Sequence, residues 1–184
     1  MTASTNLRQL YLWRHAKSDW SNLFLADHDR PLAPRGKQAA KDMTNWMLDN
    51  SVRPDLVLCS SAKRTQQTLQ RLSKRMALKI EILPELYHAE PERILELIGT
   101  VNKRIHNLMV IGHNPGFEEL VMQLTNQSPD SELHPLLQAD KIMPTGALAQ
   151  FSWQGSWNNQ PEAKVELEQI IRPRALNQAA QTAE

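Results

Sequence analysis

The sequence predicts an α/β fold, a three-layer α/β/α sandwich around a mostly parallel sheet. Three observations carry this. Short apolar runs alternate with amphipathic stretches along most of the chain, the pattern of successive strand–helix–strand units. The first run, Leu10-Tyr11-Leu12-Trp13, is apolar without alternation, as a strand buried on both faces is. The length, 184 residues, suits one domain spanning 1–184 with a single sizeable core.

Each element has its own signal. The first strand runs straight into Arg14-His15, with Lys17 and Ser18 just beyond. Residues 19–30, which include Asp27, His28 and Asp29, read as a polar loop. Pro31-Leu32-Ala33-Pro34 leads into a helix over 35–49, where Ala39, Met43, Trp46 and Met47 follow the spacing of a buried stripe and Asn50 marks the stop. A second strand at 54–60 precedes a helix over 62–76 with Thr65, Leu69, Leu72 and Met76 inward. Ser60 and Ser61 stand where side-chain oxygens can cap it, and Arg71, Lys74 and Arg75 form a solvated face.

A short third strand at 79–83 belongs at a sheet edge, and 84–88 turns away from it. The next helix, 91–101, has Pro91 in its first turn and Ile94, Leu95, Leu97, Ile98 and Val101 inward. A fourth strand at 108–112 ends in His113-Asn114, and Phe117, Leu120, Val121 and Leu124 mark a fourth amphipathic helix. Between 125 and 144 three prolines interrupt the pattern, leaving a loop with one helical turn. Runs at 147–153 and 165–171 form an antiparallel hairpin at one side of the sheet. Residues 1–6 and 174–184 are polar and are expected to be flexible tails.

Composition excludes several function classes. With 21 basic and 20 acidic residues the net charge is +1, without the basic excess of a nucleic-acid binder. No run approaches the ~20 apolar residues of a membrane span, and residues 1–6 lack the apolar core of a signal peptide. The single cysteine, Cys59, follows Val57-Leu58 as a buried strand residue and cannot form an internal disulfide. A cytoplasmic protein is expected, with no membrane partner. No His/Cys pair has metal-site spacing, and no cofactor is implied.

Chemistry gathers at the strand ends. In a parallel sheet the carboxyl ends of the first, second and fourth strands share one edge, where ligands of open α/β sheets bind. That edge would collect Arg14, His15, Arg64 and His113, together with helix N-termini whose free N–H groups attract anions. Arginine forks match paired phosphate oxygens. A neutral imidazole can take a phosphoryl group, splitting one hard hydrolysis into two easier steps. A second histidine can stabilise charge on the transferring group. An acid for the leaving atom is then wanted, and Glu85, on the turn after the third strand, is best placed by topology.

These residues resemble a known family. Arg14-His15-Ala16 resembles the Arg-His-Gly signature of the histidine phosphatase (phosphoglycerate mutase-like) superfamily. Ser60-Ser61-Ala62-Lys63-Arg64-Thr65-Gln66-Gln67-Thr68 is similar to its second segment, Gly112-His113-Asn114 to its third, and Leu83-Pro84-Glu85-Leu86 to the segment that carries the acid in many members. The stretch from Arg14 to Trp20, then Asp29-Arg30-Pro31-Leu32 and Arg35-Gly36, resembles the SixA phosphohistidine phosphatase branch. The resemblance spans residues 7 to about 173. It implies His15 as nucleophile, Arg14, Arg64 and His113 as phosphate pocket, and Lys17 and Ser18 at its edge. Ala16 stands where the family has glycine, a small change if its φ stays negative.

Between Glu85 and the fourth strand there is room for one helix only, which suggests an open site able to admit a phosphorylated side chain of another protein. The expected substrate is therefore a phosphohistidine-containing protein. Two alternatives stand beside it: a small phosphorylated metabolite handled by a phosphomonoesterase or mutase of this fold, and a non-catalytic phosphate- or phosphoprotein-binding module. His28, His88, His106 and His134 read as loop or surface residues, with His88 able to border the pocket. Asp27 and Asp29 read as a solvated loop.

Overall fold

The computed structural model describes residues 7–125, 135–138, 141–158 and 164–176. Six strands form one sheet: β1 (Leu7–Arg14), β2 (Leu56–Ser60), β3 (Ile80–Leu83), β4 (Asn107–Gly112), β5 (Leu148–Gln154) and β6 (Lys164–Ile171). Their order is β3-β2-β4-β1-β5-β6. The first four in that order pair in parallel; β5 and β6 add antiparallel, as the predicted hairpin. The helices are α1 (Pro34–Asp49), α2 (Lys63–Ser73), α3 (Pro91–Gly99) and α4 (Gly116–Thr125).

Alternation along each strand feeds two apolar layers. Leu10, Leu12, Leu58, Leu108 and Val110 point to the face covered by α3 and α4, against Ile94, Ile98, Phe117, Leu120 and Val121. Tyr11, Trp13, Val57, Cys59, Met109 and Ile111 point to the other face, against Ala40, Met43, Met47, Leu69 and Leu72 of α1 and α2. The molecule thus has the predicted α/β/α layers. β1 and β4 are neighbours, yet β1 leads to α1 on one face and β4 to α4 on the other. A crevice opens at such a switch point, at the carboxyl ends of the strands.

Several local expectations shift. Ala40 rather than Ala39 completes the buried stripe of α1, and Trp46 is half-buried. α2 ends at Ser73, short of Met76, which still packs against the layer beneath it. α3 stops at Gly99, the poorest helix former near its end. Neither Ser60 nor Ser61 is the N-cap, which is Ala62, a residue with no side-chain oxygen; the Ser60 hydroxyl accepts the Ala62 N–H only at 3.5 Å and lies closer, 2.8 Å, to His113 Nε2. The helical turn expected between 125 and 144 is a 3-10 turn at Pro135–Leu137. Much of the rest of that stretch, residues 1–6 and the tail from 177 lie outside the described residues.

The Arg35-Gly36 pair has a packing reason. α1 starts against the backbone of Lys17, whose carbonyl accepts the Ala33 N–H (2.9 Å). A Cβ on Gly36 would lie 2.1 Å from that oxygen. Helix propensity alone would favour alanine there by about 1 kcal/mol, but the clash is with backbone and costs more. Gly36→Ala is expected to lower unfolding free energy by about 1–3 kcal/mol, measured by urea denaturation; a gain in stability would contradict the close approach.

Candidate active site

Register sets the site. Arg14 pairs with Gly112 across β1 and β4, so His15 and His113 leave the sheet side by side. The His15 N–H donates to Gly112 O (3.1 Å), and the two imidazole centroids are 5.0 Å apart. β2 delivers Ser60 next to them, and the first turn of α2 delivers Arg64. All three candidate side chains are buried: His15 is 7%, Arg64 3% and His113 2% exposed.

The spacing of the segment from Ser60 to Thr68 now has a cause. Arg64 and Thr68 are four apart and share a helix face. The Thr68 hydroxyl donates to Arg64 O (2.8 Å) and accepts the Ala16 N–H (3.1 Å), tying the His15 loop to the helix that carries Arg64. Thr65 donates back to Ser60 O (2.7 Å) and Ala62 O (2.6 Å). Among the described non-glycine residues only Ser51 and His88 have positive φ, so alanine at position 16 meets no backbone penalty.

Hydrogen bonds assign the tautomers. His15 Nδ1 lies 2.8 Å from Ala16 O, and a carbonyl only accepts, so Nδ1 carries the proton. The Nε2 lone pair is left facing Arg64, whose Nε donates to it at 3.4 Å. Arg64 Nη2 donates to His113 Nδ1 (3.3 Å), so the opposite nitrogen, Nε2, holds the proton and donates to Ser60 Oγ (2.8 Å). Arg14 donates from Nη1 to Met143 O (2.6 Å). Its Nε is buried without a partner among the described residues.

A family model described as "Histidine phosphatase superfamily (branch 1)" matches residues 10–94. An uncharacterised protein of Mycobacterium tuberculosis is 35% identical over 144 residues, 78% of this chain and 89% of that one. The chain belongs to the histidine phosphatase superfamily. It is also 27% identical over 160 residues to the Escherichia coli phosphohistidine phosphatase SixA, covering 85% of this chain and 98% of SixA. A solved structure named for phosphohistidine phosphatase SixA, from Nakamurella multipartitia, superposes with a TM-score of 0.81 at 29% identity, covering 91% of this chain and 96% of that one. The chain is a phosphatase of this superfamily and of the SixA type.

Electrostatics suit that family. Burial first, then the Arg64 and Arg14 charges, push His15 down to about 3, against the hydrogen bond to Ala16. Burial, with His15, Arg64 and His88 nearby, holds His113 well below the ordinary imidazole range. Both rings are therefore neutral at pH 7. Burial also lowers Arg14.

The candidate site includes Asp27, Tyr87 and His28, which the sequence does not place there. Asp27, read as part of a solvated loop, sits on a 3-10 turn and is the hub of the rim. Its Oδ2 accepts from Arg64 Nη2 (2.8 Å), Tyr87 Oη (2.7 Å) and His88 Nε2 (3.3 Å); its carbonyl accepts from Arg64 Nη1 (2.6 Å). Burial alone would raise its pKa, but hydrogen bonds from Tyr87, His88 and Arg64 and the Arg64 charge hold the carboxyl below the usual range. Tyr87 and His88 stand against each other (4.4 Å), and His88 stacks on His113 (5.0 Å, 21°). His88 thus borders the pocket as expected, and His28, read as surface, joins the rim by bonding Ser61 (2.9 Å). The available signal was that a buried arginine needs a carboxylate; nothing in the sequence distinguished Asp27 from Asp29.

Other expected residues stand apart. Glu85 is exposed, and its carboxylate has no hydrogen-bond or ion-pair partner among the described residues. Ser18 accepts from Trp20 Nε1 (3.0 Å), and Lys17 is held through its backbone carbonyl; neither shares a hydrogen bond with the His15 cluster.

The two depressed imidazoles make a pH prediction. Native His15 and His113 bind fewer protons than their unfolded counterparts below about pH 6.5, so acid favours unfolding. Unfolding free energy is expected to fall as pH drops from 7 to 5, a window above the unfolded range of Asp27, and to fall less in His15→Gln. A urea midpoint independent of pH over that window in wild type would contradict the burial of neutral rings.

Proposed function

We propose that this phosphatase removes phosphoryl groups from phosphohistidine on a signalling or phosphotransfer protein, through a phosphohistidine formed on His15 and without a metal. The observation that carries the reading is the His15 tautomer: Nδ1 tied to Ala16 O and an unprotonated Nε2 facing Arg64. A buried ring that stays neutral keeps its lone pair for attack at phosphorus.

The proposed roles follow from position. Arg14 and Arg64 neutralise the phosphoryl oxygens, and His113 stabilises charge on them as the group moves. Lys17 and Ser18 are assigned to the pocket's edge by the family resemblance alone, since neither bonds to the His15 cluster. An incoming phosphate shares Arg64 with Asp27. In the first step the His15 Nε2–P bond forms while the P–N bond to the substrate imidazole breaks. The leaving electron pair stays on that ring, which departs neutral if its other nitrogen carries a proton. Water then attacks phosphorus, the His15 Nε2–P bond breaks, and inorganic phosphate leaves with His15 restored.

The substrate class rests on two supports. The E. coli relative is named for phosphohistidine. Only the nine-residue α3 stands as a helix between the Glu85 turn and β4, so this segment carries no inserted lid. The expected setting is cytoplasmic; among the described residues no helix is long and apolar enough to cross a membrane. One domain over 1–184 is part of the same proposal.

Brief reaction with a 32P-labelled phosphohistidine protein should trap an acid-labile, base-stable phosphoryl group on the enzyme. His15→Ala should lack it and lose at least ~10³-fold in kcat; equal turnover in both proteins would refute the nucleophile. Glu85 is proposed as acid only where the leaving atom is a poor alkoxide. Glu85→Gln should cost about tenfold or more on alkyl phosphates and leave phosphohistidine turnover within about twofold. An equal loss on both substrates would remove this leaving-group dependence.

A further inference from the structure

The loop between β1 and α1 reads as polar in sequence, but it turns apolar side chains outward. Phe24 is fully exposed, Leu23 is 78% and Trp20 54% exposed. Three bulky apolar groups in five residues of surface loop are a costly arrangement in water, and such patches mark interaction sites.

The loop is built rather than slack. Asp19 Oδ1 accepts the Ser21 N–H (2.9 Å), and Asn22 Oδ1 accepts the Phe24 N–H (3.0 Å). The guanidinium of Arg30, itself buried, lies 4.1 Å from the Trp20 ring centroid and donates to Asn22 O (3.1 Å). Trp20 donates to Ser18 at one end of the loop, and Asp27 bonds Arg64 at the other. The patch is therefore held in fixed relation to the phosphate pocket.

We propose that residues 19–26 form the docking surface for the protein that carries the phosphoryl group. The inference rests on the phosphoprotein reading above and deepens it. Phe24 is three residues from Asp27, so their Cα atoms are at most about 11 Å apart, and Leu23 adds one further step of about 3.8 Å. A standard protein interface covers about 800 Å² per partner, a disc of about 16 Å radius. A folded protein that presents a phosphohistidine to His15 and Arg64 is therefore wide enough to reach Leu23 and Phe24. A small phosphorylated metabolite is too small to reach them. Trp and Phe are also residue types enriched at protein interfaces.

The test uses Leu23→Asp/Phe24→Asp, substitutions at exposed positions outside the phosphate pocket. Two substrates are compared: a folded carrier domain phosphorylated on one surface histidine with phosphoramidate, and p-nitrophenyl phosphate. The double variant should lose at least tenfold in kcat/KM on the phosphodomain, chiefly through KM, and stay within twofold on p-nitrophenyl phosphate. An unchanged KM for the phosphodomain overturns the proposal, as does an equal loss on both substrates. A change in oligomeric state by light scattering, without the selective loss, assigns the patch to a second copy of the chain and also overturns it. Should the wild-type enzyme hydrolyse p-nitrophenyl phosphate but not the phosphodomain, the substrate reading itself fails, and docking with it.

Discussion

A guanidinium with almost no exposure to water must have its donors satisfied inside the protein. Arg64 meets that demand with His15, His113 and Asp27 as acceptors. The rest of the site follows from that constraint. The cation must arrive at the carboxyl edge of the sheet, so α2 begins right after β2. The helix must keep a fixed distance from His15, so Thr68 ties it to the Ala16 backbone. The carboxylate must reach in from outside, so the chain between β1 and α1 folds back over the crevice.

Burial has a second consequence. Two imidazoles 5.0 Å apart beside two arginines cannot readily charge. The same low-dielectric surroundings that keep the rings neutral would strengthen the pull of Arg14 and Arg64 on a phosphoryl group. The proposed nucleophile and the proposed phosphate clamp thus rest on one physical cause, removal from water: it disfavours the charged form of both base types, but it neutralises only the weakly basic imidazoles and leaves the guanidiniums charged.

The loop over 19–30 joins recognition to that core. Arg30 packs under Trp20 and lies 4.0 Å from the Asp27 carboxylate, which in turn holds Arg64. A partner seated on the outer residues would press on a chain segment whose far end is bonded to the buried cation. Exposed apolar groups and a buried charge network are therefore two ends of one loop.

Hydrophobic periodicity and strand-end position were local enough to read directly: the element order, the edge position of β3, the final hairpin, and the meeting of Arg14, His15, Arg64 and His113 follow from them. These signals survive because a strand buried on both faces tolerates little but apolar residues. The Ser60 hydroxyl shows the limit. As a local feature it suits a helix cap, yet it pairs with His113, fifty-three residues away. Asp27 and Tyr87 are sixty residues apart and meet on one carboxylate oxygen, while Glu85, chosen by topology, points to solvent. Which polar group serves which partner is decided by where loops return in space. Hydrogen bonding acts over about 3 Å, and no spacing along the chain encodes that distance between separate loops. Amino-acid order alone determined the layers and the buried cluster at the sheet edge; only the folded structure chose the carboxylate that holds Arg64 and turned Leu23 and Phe24 outward.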